Sequence, residues 1–480
     1  MAFIRKVKTK SGATAVQVVH KFRGRIIRLK HLGSAHTQED LAALISLGRR
    51  QLAGDQLPLF SDSGSSLRLK LRQSCSTLLW ETLQKQYRRL GFGQLGDEVF
   101  AALCIARLVE PTSKLDSLRV LADLGVSQYD KNRLYRCLQT VVGKNYRETI
   151  SRLCCQACFN RGVSLLLYDV TSLYFEVPRP DNYRKPGLSK ERRLEPQIII
   201  GLLVDQSGFP LGLNSFEGNT AETKTILPVV TEFCARHRVD RLTVVADAAM
   251  MSLKNLTELA RAGFTYIVGS RLQKVPYDIA EYQRGQNLAD RQIFVDRRPD
   301  YRIIYQYRDK RAALDIKNIQ NQVAKAQKVI QGQAPATRAK FVTVKAKTKT
   351  LNLSLIAKAY ALAGIKGYVT NLDIADWRVI DYYHQLFQVE ASFRMAKSDL
   401  KARPIFHRKR DSIEAHLTVV FTALAIAKKI EAQTGTSIKQ FVKTVRPIRS
   451  GVVVINNKEY FAEPVIPEAI QRMLQKLSGH

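Results

Sequence analysis

Residues 383–401, YHQLFQVEASFRMAKSDLK, constrain the chain more than any other stretch. No Pro or Gly interrupts them, and Leu386, Val389, Phe393 and Leu400 recur at helical spacings, so the stretch reads as one helix. Glu390 follows Tyr383 by seven residues, and Lys397 follows Glu390 by seven. Two turns bring a side chain back to nearly the same direction, which sets Tyr383, Glu390 and Lys397 in one stripe. Arg394 stands at i+4 from Glu390, within pairing reach. On an isolated helix this would be an ordinary solvated face. Two other carboxylates shift the balance: Asp169 closes the apolar run 163–168, and Asp247 closes the run 242–246, both of strand composition.

Charge narrows the class. The 480 residues carry 76 Lys plus Arg against 42 Asp plus Glu, a formal +34 spread from end to end, which points to a polyanion and most simply to nucleic acid. A ribosomal or RNA-binding role competes on charge alone, but an apolar content of 45% in so long a chain allows two or three domains with real cores. Seven Cys imply no disulfide framework, and the CxxC at Cys155 and Cys158 has neither a second pair nor a nearby His, so packed thiols are a better reading than zinc. No apolar signal segment opens the chain and no apolar run is long enough to span a bilayer, so a cytoplasmic location is expected.

In chain order, residues 1–60 read as a small basic hairpin, strands 14–22 and 24–32, followed by a helix at 38–52, with 61–66 as a linker. Residues 61–160 read as helical from about 67, and Ser113 is positioned to cap a helix whose first turn holds Asp116. From 161 the period changes. Three strand-like runs (163–168, 197–204, 209–216), a helix, a strand ending at Asp247, a helix and a fifth strand at 265–269 make a mixed sheet with helices packed on it. Residues 271–370 interrupt this order with strand-like pieces and a polar helix, 310–330. Residues 371–435 hold the organising helix and a second amphipathic one, and 436–480 form a basic tail.

Two strand-end aspartates and a helical glutamate are the side chains that hold hard divalent cations. A pair of such ions about 3.5–4 Å apart activates an attacking water or 3′-hydroxyl and stabilises the leaving oxygen of a phosphodiester. Taken singly, each aspartate reads as a turn or cap residue, the commoner use of an Asp at a strand end.

These blocks together resemble the DDE transposases of the insertion sequence 4 type, and most closely the branch around insertion sequence 1634. That type's signature places Arg, Glu and Lys at +3, +7 and +14 from a Tyr; Tyr383, Glu390 and Lys397 match, and Leu386 stands at the Arg position. LLLYDVTSLYFE around Asp169, VVADAAMMS around Asp247, the linking stretch QIIIGLLVDQSGFPLGLNSFEGNTAETKT, and ARLVEPTSKLDSL upstream are similar to the branch as well, so the resemblance runs through most of 90–430.

The resemblance implies an α/β fold: a ribonuclease H-like mixed-sheet catalytic core in two parts (161–270 and 371–435), a β-rich insertion at 271–370 and a helical N-terminal domain for DNA binding or dimerisation. It implies Mg²⁺-dependent cleavage at terminal inverted repeats of a bacterial element and strand transfer into target DNA. Two Mg²⁺ ions, replaceable by Mn²⁺, would be held by Asp169, Asp247 and Glu390. Tyr383, Arg394, Lys397, Lys401 and Arg403 would contact double-stranded DNA, with a homodimer pairing the two ends. Leu386 puts hairpin-mediated excision in question. Two readings compete: a related nuclease that cuts without joining, and a basic DNA-binding protein whose acidic site is unused.

Overall fold

The computed structural model describes the chain except residues 1, 10–11, 23, 54–68, 160–164, 177–178, 188–194, 240–241, 249–251, 271, 273, 336–338, 346–347, 456–457 and 479–480. The linker expected at 61–66 lies outside the described residues. Two compact units are present, Met1–Lys70 with Val454–Lys458, and Leu71–Val453 with Glu459–His480.

The first unit starts with strands rather than helices. β1 (Ala2–Lys8), β2 (Thr14–Phe22) and β3 (Arg25–Ala35) form an antiparallel sheet, with α1 (Gln38–Ala53) packed on it. The expected hairpin is β2–β3. β1 is an addition that its basic sequence FIRKVK hid, because only the alternation against Val16, Val18 and Val19 on β2 gives it a face to cover.

In the second unit β4 (Leu69–Cys75) precedes five helices: α2 (Thr77–Arg89), α3 (Glu98–Val109), α4 (Ser117–Asp123), α5 (Lys131–Gly143) and α6 (Tyr146–Phe159). Asp97 and Asp130 cap α3 and α5 by accepting the amides of Phe100 at 2.9 Å and Arg133 at 2.8 Å. Ser113 accepts the Asp116 amide at 3.0 Å, so it caps the turn that leads into α4 rather than α4 itself.

Then comes an apolar meander: β5 (Leu165–Tyr174), β6 (Gln197–Val204, buried at every position) and β7 (Pro210–Glu217). α7 (Ile226–His237), β8 (Thr243–Ala246), α8 (Leu253–Arg261) and β9 (Thr265–Ser270) follow. β5, β8 and β9 are parallel to one another, the rest antiparallel.

Residues 271–370 differ from a separate β-rich body. They contain α9 (Tyr277–Tyr282), β10 (Ile293–Arg297), β11 (Arg302–Tyr307), the 22-residue α10 (Asp309–Ile330), β12 (Val342–Lys345), β13 (Thr348–Leu351), α11 (Leu353–Ala361) and β14 (Ile365–Thr370). Three of these strands extend the main sheet, whose order is β10-β11-β14-β9-β8-β5-β6-β7; only β12 and β13 pair apart from it. The unpaired edge of β9 is covered in this way.

The stretch read as one helix is two: α12 (Asp376–His384) and α13 (Phe387–Ser398). α12 packs on β8, β9 and β14, and α13 on β5 and β6, so the break at 385–386 lies over the middle of the sheet. After α13, α14 (Arg410–Thr434) runs through the core with buried residues all round, against α2, α3, α5, α6 and β7. α15 (Ile438–Val445), β15 (Ser450–Ile455), β16 (Lys458–Ala462) and α16 (Glu468–Ser478) complete the chain. All seven cysteines are free and buried, and among the described residues no helix is long and apolar enough to cross a membrane.

Candidate active site

Register brings the two aspartates together. On the parallel pair β5 and β8, Leu167 is opposite Val245, so Asp169 and Asp247, each two residues further on, stand at the same level. Asp247 lies just past the end of β8, and Asp169 is not at a strand end as expected but inside β5, which continues to Tyr174. Neighbouring strands lie about 4.8 Å apart, and equal parity sends both side chains toward one face of the sheet. Asp169 Oδ1 accepts the Val170 amide at 2.8 Å. Asp247 Oδ1 accepts the Ala248 amide at 2.7 Å and the Tyr383 hydroxyl at 3.2 Å.

The break between α12 and α13 gives the two pieces different tasks. Tyr383 is buried edge-on to Tyr368, ring centroids 5.0 Å apart, and its hydroxyl is aimed at Asp247. Burial and the Asp247 charge push its phenol upward, so it stays a hydrogen-bond donor. Gly269 on β9 leaves room for this contact, since a Cβ there would come within 2.7 Å of the Tyr383 hydroxyl oxygen. Leu386, at the position of the family's Arg, is buried in the corner between the helices.

On α13, Glu390 is exposed and forms no hydrogen bond or ion pair among the described residues; the pair with Arg394 that i+4 spacing allows is not made. Lys397 Nζ donates to the Thr171 hydroxyl at 2.6 Å, across from Asp169 on the same face of β5. α13 is held to the sheet by Ser392, whose buried hydroxyl donates to the Gly208 carbonyl at 2.7 Å. Gly208, at φ +79° in the β6–β7 turn, allows that close approach.

The result is an open cleft of about 490 Å³ lined by Asp169, Thr171, Glu390, Arg394, Lys397 and Arg403. Arg403 also stacks over Tyr174 at 4.8 Å. Lys401 does not line this cleft; it borders a neighbouring cavity. The sequence reading missed Lys366, on β14 within IKGYVT, whose only signal is a cation inside an apolar strand. Its ammonium lies 4.3 Å from the Tyr383 ring centroid. Burial and Arg311 push its pKa down, while the charges of Asp247 and Glu390 oppose that shift, so Lys366 feels both carboxylates. Near this sheet, Glu217 pairs with Lys185 at 2.5 Å, and His416 of α14 donates to the Ala402 carbonyl.

A region of this chain matches a known family. The model of the transposase DDE domain aligns with residues 164–426, more than half of the chain, from β5 into α14. The chain belongs to the DDE transposase family. No curated protein matches its sequence. Among solved structures, it is similar to the piggyBac transposase in a synaptic complex with hairpin DNA, at 10% identity over 72% of this chain and 69% of that one, TM-score 0.41. Likeness at that level leaves the fold to rest on the transposase's own strand order.

The family implies divalent metal. Carboxylate oxygens are the donors a hard cation takes, and Asp169, Asp247 and Glu390 supply that chemistry. Two of the three are in register, although among the described residues no three His, Cys, Asp or Glu side chains are gathered as a group that holds an ion. The donor set fits in kind, and the two aspartates fit in sheet register.

Proposed function

We propose that this transposase is of the insertion sequence 4 type, near the insertion sequence 1634 branch, and that it cuts a bacterial element at its terminal inverted repeats and joins the ends to target DNA. The observation that carries the reading is the β5–β8 register, with Asp169 and Asp247 side by side and Glu390 on the same cleft as Asp169. The meander β5–β6–β7 followed by parallel β8 and β9 supports a ribonuclease H-like core.

Asp169, Asp247 and Glu390 are the proposed ligands of two Mg²⁺ ions, which when bound would activate the attacking oxygen and stabilise the leaving one. Tyr383 positions Asp247 through its hydroxyl rather than offering a face to DNA. Lys397, seated on Thr171, contacts a phosphate at the element's end, and Arg394 and Arg403 extend a cationic track along the same cleft. Lys401 continues that track beyond the cleft. Two ends must be paired for joining, so a homodimer on DNA is part of the proposal.

The test is incubation of the full chain with Mg²⁺ and a labelled duplex carrying the element's end. The wild type should nick and join, and Asp169→Ala should lose both by about a thousandfold or more while still binding. Cutting without joining would leave a nuclease. Binding without metal-dependent cutting in either protein would sink the enzyme reading.

A further inference from the structure

Beside the carboxylate cleft lies a second cavity of about 480 Å³, and its lining is basic. Arg107 comes from α3, Lys114 from the turn before α4, His416 from α14, and Lys401 and His407 from the segment joining α13 to α14. No Asp or Glu lines it. Arg107, Lys114 and His416 are only 6%, 5% and 4% exposed. Among the described residues neither Arg107 nor Lys114 has a carboxylate partner.

Among the described residues, the one polar contact of Lys114 is with His416, Nζ to Nδ1 at 3.2 Å, and His416 Nε2 donates to the Ala402 carbonyl at 3.1 Å. A carbonyl only accepts, so Nε2 carries the ring proton, and Nδ1 of the neutral ring accepts from Lys114. Burial and the neighbouring cations hold both Lys114 and His416 well below their ordinary pKa values.

Like charges buried without acid partners are costly, and an apolar side chain of similar volume would serve packing better. Their presence on a cavity wall makes sense where an anion uses them. The mouth is flanked by Tyr135 and Phe406, 47% and 75% exposed, flat apolar faces beside the cationic floor. From this arrangement we infer that the cavity is a phosphate-group site, with Arg107 and Lys114 receiving the charge at its floor and Lys401 at its rim.

The phosphate has two sources, a nucleic-acid strand or a free phosphate. The first rests on the function proposed above; the phosphate chemistry itself does not. The chain Lys114–His416–Ala402 ties the floor to the turn that carries Lys401 and Arg403, and Arg403 lines the carboxylate cleft, so an occupied floor braces that cleft's rim.

The test uses the full chain in two arms. In the first, inorganic phosphate is titrated calorimetrically at constant ionic strength. The wild type and Asp169→Ala should bind alike, and Lys114→Met and Arg107→Gln should each weaken binding at least tenfold. In the second, duplex affinity is measured against salt. If the source is nucleic acid, Lys114→Met lowers affinity about tenfold and the log–log salt slope by about one.

Lost phosphate binding with unchanged duplex affinity assigns the site to a free phosphate. Both responses unchanged in both variants would overturn the inference. Should either variant fail to fold, Lys401→Gln at the exposed rim carries the test, with about a threefold loss expected. Failure of metal-dependent cutting with phosphate binding intact would strike the proposed function and leave this site standing.

Discussion

Two charged clusters flank helix α14, and they are built on opposite terms. Glu414 and His416 are two residues apart, about 200° around the helix, and face different neighbours. On the Glu414 side, Arg147 of α6 pairs with the carboxylate at 2.7 Å, the Tyr183 hydroxyl donates to it at 2.5 Å, and the Ser215 hydroxyl donates at 2.7 Å. Every charge there meets its complement. On the His416 side, among the described residues, Lys114 meets a neutral imidazole, neither Lys114 nor Arg107 has a carboxylate partner, and both line a cavity. A buried cation with a partner is architecture, whereas one without a partner is poised for something that comes from outside. The first cluster ties α6, β7 and α14 together; the second gains nothing for the fold by being charged.

That contrast is open to breakage. The largest effect is expected at Glu414: replacing it by Ala strands Arg147 in a mostly buried position and should cost about 3 kcal/mol of stability in urea unfolding. A loss below about 1 kcal/mol would put the pair on a level with exposed salt bridges. The same cluster sets an acid limit. Burial alone would raise the Glu414 pKa, but Arg147, Tyr183 and Ser215 outweigh it and hold the carboxyl below its usual range. A lowered native pKa contributes stability above the unfolded value of about 4.3, and that contribution is lost as pH falls through the native value. The urea midpoint of the wild type should therefore drop between pH 5 and acid, and Glu414→Gln should flatten that part of the profile.

Lys114→Met should act with the opposite sign. Removing an unmatched buried charge is expected to raise stability by about 1 kcal/mol in phosphate-free buffer. A destabilisation of that size would mean that the cation serves packing. The smallest effect belongs to an exposed carboxylate with a neutral donor. Tyr383→Phe removes one hydrogen bond to Asp247 and should cost about 1 kcal/mol or less in stability. It should slow end cleavage about fivefold with DNA binding unchanged, which a purely packed Tyr would not do.

Much of the candidate site can be read from sequence because its determinants are local. An apolar run that stops at an Asp marks a strand end at Thr243–Ala246, just before Asp247, but not at Asp169, which lies inside β5 because the strand continues to Tyr174 against β6. The pairing of those strands does not follow from either run, since the β5–β8 register joins residues nearly eighty positions apart. The helix break illustrates the same limit. Nothing in YHQLFQVEASFRMAKSDLK announces it, for Gln385 and Leu386 are good helix formers. Packing on two different groups of strands, with Leu386 turned into the corner, outweighs propensity there and sends Tyr383 under Asp247 while Glu390 and Lys397 face the cleft.

Composition and short-range pattern by themselves determined the basic character of this protein, its apolar strand runs and the three carboxylates that follow two of them and sit on the later helix. Those properties live in neighbouring residues and need no partner from elsewhere in the chain. Only the tertiary structure decided that β10, β11 and β14 extend the main sheet, that Lys366 lies over the Tyr383 ring, and that Arg107, Lys114 and His416 converge on one cavity. Each of these depends on strand order and on which helix face meets which neighbour, and both are settled by the long-range burial of apolar surface.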